Sequence, residues 1–207
     1  MKLIIGLGNP GQVYSGHRHN IGFVALNHFA RRHGIKLDKK MGLARVGQGH
    51  VNGVAVTLAR PQTFMNSSGE SAVRLAHKLK VNPEDIIIIH DDLDIPLGRL
   101  QLRRGGDCGG HKGVLSVMQE LGSTSFIRIR IGIGRPPPNP DGSPPDIKGY
   151  VLSNFTAEEA KVIENSVANA SAAADSILLE GLEKARNRFN RRPSQTERFA
   201  SSQEGNI

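Results

Sequence analysis

The run Ile86-Ile87-Ile88-Ile89 constrains this chain more than any other feature. Four β-branched residues in succession favour an extended backbone, and a strand that is apolar at every position has to be covered on both faces. Such a strand belongs inside a parallel or mixed sheet with helices above and below it. The rest of the pattern agrees. Lys2–Gly8 is a second short apolar run, and Leu43–Gln48 and Val54–Arg60 alternate like strands on either side of Asn52-Gly53, a hairpin dipeptide. Leu100–Arg103 and Ile127–Ile133 add two further strands. In the last of these the apolar residues alternate with Arg128 and Arg130, which predicts one wet, basic face. Ile21–His33, Asn66–Leu79 and Gly113–Leu121 carry apolar residues at helical spacing, with Gly34 as a C-cap of the first and Asn66 or Ser68 as a cap of the second. The fold class expected is α/β: a single domain with a twisted, mixed β-sheet flanked by helices.

A break follows the last strand. Six of the eleven prolines fall between Pro136 and Pro145, which makes this segment an extended loop. Thr156 with Glu159 has the spacing of a capping box, and the alanine-rich stretch Ala157–Leu182 reads as a helix in two pieces. From Asn190 onward Arg, Ser, Gln and Gly dominate. The expected organisation is therefore a folded domain over residues 1–189 and a disordered C-terminal tail over 190–207.

Charge and cysteine content narrow the partners. The 207 residues carry a formal net charge of +8 and a pI near 10.0, a field that attracts polyanions and nucleic acid first. With no Trp, two Tyr and seven Phe, a broad base-stacking platform is not expected, so charge and backbone contacts would dominate any such binding. The single cysteine, Cys108, excludes an intramolecular disulfide and fits a reducing compartment. No apolar run approaches the roughly 20 residues that span a bilayer. The apolar start runs into Asn9-Pro10-Gly11, turn chemistry rather than a signal peptide. A cytoplasmic protein is expected.

Gly6-Leu7-Gly8-Asn9-Pro10-Gly11 matches the dinucleotide pattern G-x-G-x-x-G after a strand. That pattern needs a helix opening at its third glycine, so that the pyrophosphate meets the helix N-terminus. Gln12–His19 holds another glycine and no apolar period, so the segment reads instead as a turn that presents Asn9 to a crevice. His17-Arg18-His19-Asn20 follows in the same crevice loop, where histidine is the best general base near neutral pH. His90-Asp91-Asp92-Leu93-Asp94 sits where the isoleucine strand ends, so its carboxylates face the same crevice or cap a polar turn. One carboxylate there can accept the second ring N–H of His19 and favour the imidazolium formed on proton uptake. His17, His19, His90, Asp91, Cys108 and His111 also include zinc-ligand types, but their spacings match no metal signature. Gly105–Gly113 holds five glycines and lies among Arg99, Arg103, Arg104, Arg128, Arg130 and Arg135, which reads as a phosphate site or as a solvated loop among surface arginines.

Several segments then match one family in order: Gly8-Asn9-Pro10-Gly11…Tyr14…Arg18-His19-Asn20-Ile21-Gly22; Arg60-Pro61-Gln62-Thr63-Phe64-Met65-Asn66-Ser67-Ser68-Gly69; Asp91–Pro96; Gly109-Gly110-His111-Lys112-Gly113; and Arg128–Pro136. Over about residues 2–190 the chain resembles the bacterial-type peptidyl-tRNA hydrolase family. The resemblance implies a monomeric, metal-free and cofactor-free esterase whose partner is peptidyl-tRNA, with no membrane association. It casts His19 as the base that activates water, Asp91 as its orienter and Asn9 as a reader of the blocked peptide end. Tyr14, Phe64 and Asn66 would line the tRNA 3′ end and peptide with Met65 beside them, and Arg103 with Arg130 would clamp a tRNA phosphate. His111 and Lys112 fall in the family's substrate-contacting loop. There the family pattern has Gly-His-Asn-Gly, so Lys112 replaces an asparagine: lysine offers donors but no acceptor, and adds a charge. Arg60 stands where lysine is more usual and keeps the charge. Two rival readings remain at this point, a non-catalytic RNA-binding protein on the same fold and a metallohydrolase using the His/Asp/Cys set.

Overall fold

The isoleucine run lies inside a seven-stranded sheet, as its double-sided apolarity requires. The structure is a computed structural model that describes residues 1–191. The strands are β1 (Lys2–Gly6), β2 (Lys39–Met41), β3 (Ala44–Val51), β4 (Val54–Pro61), β5 (Ile86–Asp92), β6 (Leu100–Arg104) and β7 (Ile127–Gly132), in the order β2-β3-β4-β1-β5-β7-β6. β4, β1, β5 and β7 are mutually parallel; β2 and β3 at one end and β6 at the other run antiparallel to their neighbours. The expected hairpin joins β3 to β4, with Asn52 at φ 50° and Gly53 at φ 77°, the left-handed pair that this tight turn requires.

Helices α1 (Ile21–Arg32), α2 (Ser68–Leu79), α3 (Lys112–Leu121), α4 (Ile147–Val151), α5 (Ala157–Glu180) and α6 (Leu182–Phe189) cover the sheet. Alternate residues of β5 enter two cores. Ile87 and Ile89 pack with Phe29 of α1 and Ala170, Ala174 and Ile177 of α5, whereas Ile86 and Ile88 pack with Leu75 of α2 and Val114 and Val117 of α3. Thr156 and Glu159 form the capping box of α5, and Gly181 separates α5 from α6.

The structure departs from the sequence reading in several places. Lys39–Met41, where no strand was expected, pairs with β3 although two of its three residues are lysines. α4 was not expected in the proline-rich region; the Asp146 side chain accepts the Gly149 N–H and starts it. Neither Asn66 nor Ser68 caps α2: Met65–Ser67 forms a 3-10 turn, and the Ser68 hydroxyl donates back to the Met65 carbonyl. Arg128 is 2% exposed, so the face expected to be wet is not wet there. Its guanidinium donates to the carbonyls of Gly105 and Asp107 and holds the glycine-rich loop from beneath. Asn190, the first residue of the expected tail, pairs its side-chain amide with both the N–H and the carbonyl of Leu102 on β6. Residues 192–207, the remainder of that tail, lie outside the described residues.

The start of α1 meets the sheet closely at Gly22. A Cβ there would come within 2.3 Å of the Ile89 carbonyl oxygen and 2.6 Å of that of Leu7. Gly22→Ala is expected to cost about 1–3 kcal/mol, the usual range for overpacking, read as a lower midpoint in urea unfolding.

Candidate active site

Asp91 is the hub. β5 continues two residues beyond His90, and that extension carries the Asp91 carboxylate into the crevice between the segments preceding α1 and α3. Asp91 is 2% exposed. His19 Nδ1 lies 2.9 Å from both carboxylate oxygens, and His111 Nε2 lies 3.0 Å from Oδ1. His111 is also the N-cap of α3, where its Nδ1 accepts the N–H groups of Gly113 and Val114 at 3.1 and 3.2 Å. An Nδ1 that accepts carries no proton, so the proton of this ring is on Nε2, which donates to Asp91. His19 donates from Nδ1, leaving Nε2 bare on the side away from Asp91.

The electrostatics follow from this sharing. Burial by itself would raise the Asp91 pKa, but the two imidazoles, through charge and hydrogen bonds, hold the carboxyl well below the usual range. For His19, burial disfavours the charged ring, yet Asp91 outweighs it and raises the pKa above 6.5, with the Lys112 cation pulling the other way. The third ring, His90, is fully buried and held well below 6.5, first by burial and then by His111. Its Nδ1 donates to the Asp91 carbonyl, so it fixes the backbone of the hub.

Asn9 is fixed from two sides. Its Oδ1 accepts the Met65 N–H at 2.9 Å, which orients the amide and leaves Nδ2 as a donor at the site. Its own backbone N–H and carbonyl are both bonded by the Asn20 side chain at 2.9 Å. Arg18 anchors the other flank of His19. It is 5% exposed, donates through two nitrogens to Glu159 at 2.9 and 2.7 Å, and lies 4.3 Å over the Tyr150 ring and 4.8 Å over Phe155. Sequence reading assigned no role to Asn20 or Arg18. Their adjacency to His19 was the available signal, but their partners are distant in the chain.

A cavity of about 550 Å³ opens over this hub. Asn9, His19, Met65, Asn66, Asp91, His111 and Lys112 line it together, as the motifs implied, with Gly109 and Gly110 at its rim and Ile147, Val151 and Leu152 forming an apolar wall. Tyr14 and Phe64 are not in that lining. They pack edge to face at 6.5 Å, and Phe64 is 59% exposed. Arg103 and Arg130 are outside that lining, diagonal neighbours on the paired strands β6 and β7: Arg130 is bonded to Asp92 at 2.8 Å and to Gln101, and the Arg103 guanidinium lies against Gly106. The glycine-rich loop turns two carbonyls inward to Arg128, and its Gly109 N–H is taken by Asp107.

His19, Asp91 and His111 place one donor atom each within 4.8 Å of one another, close enough to hold a metal ion. His17, His90 and Cys108 do not join them. The hydrogen bonds account for this grouping, because the His111 Nε2 that faces the centre is protonated and cannot ligate.

Residues 3–197 match the family model described as peptidyl-tRNA hydrolase. The chain belongs to the peptidyl-tRNA hydrolase family. A peptidyl-tRNA hydrolase of Dehalococcoides mccartyi is 47% identical over 190 residues, covering 92% of this chain and all of the relative, and one from Alkaliphilus metalliredigens is 42% identical over the same span. The crystal structure of the peptidyl-tRNA hydrolase of Acinetobacter baumannii superposes with a TM-score of 0.84 at 35% identity, covering 92% of this chain and 94% of that one. The family's fold is thus the fold described above.

The charges around His19 make its titration a direct test of the geometry. The imidazole is expected to titrate above 6.5 by NMR, to move higher in Lys112→Met, and to fall below its value in the unaltered chain in Asp91→Asn, where burial and Lys112 act unopposed.

Proposed function

We propose that this chain hydrolyses the ester bond between peptide and tRNA in peptidyl-tRNA, with His19 as general base and Asp91 as the group that orients it. The observation that carries this reading is the His19–Asp91 pair at 2.9 Å, with the free ring nitrogen turned towards a cavity large enough for the ester. Ester hydrolysis needs a base, a water and donors for the developing oxyanion. His19 Nε2 takes a proton from water, and the resulting hydroxide forms a bond to the ester carbonyl carbon. The negative charge on the carbonyl oxygen is met by the Asn9 Nδ2 donor and by Lys112, both of which line the cavity. The tetrahedral intermediate then breaks its bond to the ribose oxygen, which leaves with the proton held by His19. The products are tRNA with a free terminal hydroxyl and a peptide carboxylate.

The other residues have parts in the same scheme. Asn66 lines the cavity for the peptide or terminal nucleoside, and exposed Phe64, packed edge to face on Tyr14, offers a stacking surface beyond that lining. Arg103 and Arg130 bind a tRNA phosphate beyond the cavity. His111 acts through Asp91 rather than on substrate, because both of its nitrogens are already bonded. No helix of the described residues is long and apolar enough to cross a membrane. The proposed setting is the cytoplasm, and the proposed state is a monomer. A non-catalytic RNA binder on this fold would have no use for a buried carboxylate turned onto a histidine.

Cleavage of N-acetyl-aminoacyl-tRNA tests this reading. His19→Ala is expected to lower kcat by about 10²–10⁴-fold, the usual contribution of a general base, with the fold retained but the unfolding midpoint lowered by the loss of one Asp91 partner; near-normal turnover in that variant overturns the assignment. Activity is expected to survive a chelator. The active form carries neutral His19, so kcat/KM should rise with pH through a limb above 6.5. Lys112 opposes the imidazolium, so Lys112→Met should move that limb to higher pH.

A further inference from the structure

Three basic residues that the cavity does not use are arranged in register. In the β2–β3 ladder Lys40 faces Arg45, and in the β3–β4 ladder Arg45 faces Arg60. Directly opposed residues on neighbouring strands project from the same face. Three cations therefore stand side by side across three strands, on the face that carries α1. Like charges so placed repel each other, and a chain selected for stability alone would interleave a carboxylate. None does: among the described residues Lys40, Arg45 and Arg60 form no ion pair. Arg45 reaches only the Asp38 carbonyl, at 3.3 Å, and Arg60 only the Asn27 side chain, at 3.4 Å. Arg60 is held over the Phe23 ring at 5.0 Å, and its Nε is buried without a hydrogen-bond partner. Burial and Arg45 together lower the Arg60 pKa.

The placement gives this row a direction. It starts at the exposed Lys40 on the edge strand and ends at Arg60, near the C-terminal end of β4. Phe23, which Arg60 overlies, also lies against Gly8, one residue from Asn9 of the site. Arg103 and Arg130 belong to the opposite side of the sheet, since Ile127, Ile129 and Ile131 of β7 face α1 and α5 and the arginines between them face the other way. Adjacent strands lie about 4.8 Å apart, so the row spans a distance comparable with successive phosphates of a nucleic-acid strand.

We propose that Lys40, Arg45 and Arg60 form a phosphate-binding row that holds the RNA backbone of the substrate on the α1 face of the sheet, separate from the Arg103 and Arg130 region. This rests on the proposed hydrolase reading for the identity of the RNA. Planar guanidinium groups suit phosphate oxygens, and an incoming anion relieves the mutual repulsion of the row.

The test is tRNA binding over a salt series, using the full chain, unacylated tRNA, Lys40→Ala/Arg45→Ala and the charge-preserving pair Lys40→Arg/Arg45→Lys. The alanine pair is expected to bind about tenfold more weakly at 0.1 M salt and to lose about one to two units from the slope of log K against log salt. The charge-preserving pair should keep most of both. The thermal midpoint of the alanine pair should be no lower than that of the unaltered chain, because repulsion has been removed. An unchanged salt slope in the alanine pair overturns the proposal, as does equal weakening in both pairs. Cleavage of N-acetyl-aminoacyl-tRNA by the unaltered chain is measured alongside, so that a failure of the hydrolase reading is seen separately from a failure of the row.

Discussion

A buried carboxylate needs compensation, and the site is built around compensating Asp91. Taken from water without partners its charge would be prohibitive. Two imidazole N–H groups supply the need, one from the turn before α1 and one from the first residue of α3. The second imidazole is itself oriented by the backbone of the helix it caps. A line of donors thus runs from the α3 amides through His111 to Asp91, which receives His19 from the other side. Three segments far apart in the chain are fixed relative to one another by one negative charge. The order this imposes on His19 is the order a general base requires.

The positive charge of the chain separates into distinct duties. Arg18 is buried against aromatic rings and a carboxylate, and Arg128 is buried beneath a loop whose carbonyls it gathers. Both belong to the fold and contribute little to the outer field. Among the described residues Lys112 and Lys148 line the crevice, whereas Lys40, Arg45 and Arg60 stand on the α1 face of the sheet and Arg103 and Arg130 on the other. A net charge of +8 therefore understates how unevenly the charge is placed.

Much of this was legible in the sequence because it is local. A run of isoleucines needs cover on two sides wherever it occurs, Asn-Gly closes a hairpin through its own dihedral preferences, and Thr156 with Glu159 caps a helix within four residues. That a carboxylate of the Asp91–Asp94 turn could meet His19 was legible for a topological reason, both lying at the crevice end of the parallel strands; the resemblance singled out Asp91. What stayed hidden depends on distant partners. Arg128 alternates like a solvated residue until the loop carbonyls are seen to need a donor. The bond from His111 to Asp91, which lies well back in the chain, was not legible for the same reason. Lys39 and Lys40 hid a strand because an edge strand tolerates lysine where a central one does not.

The side chain of Asn190 bonds to the N–H and carbonyl of Leu102 as a neighbouring strand would. β6 is the last strand of the sheet, and an open last strand is a template on which another chain can pair. One amide, delivered by the turn that follows α6, occupies that template at its middle residue. The end of the described chain thus works as a stopper against edge-to-edge association, and its value lies in the aggregates that do not form.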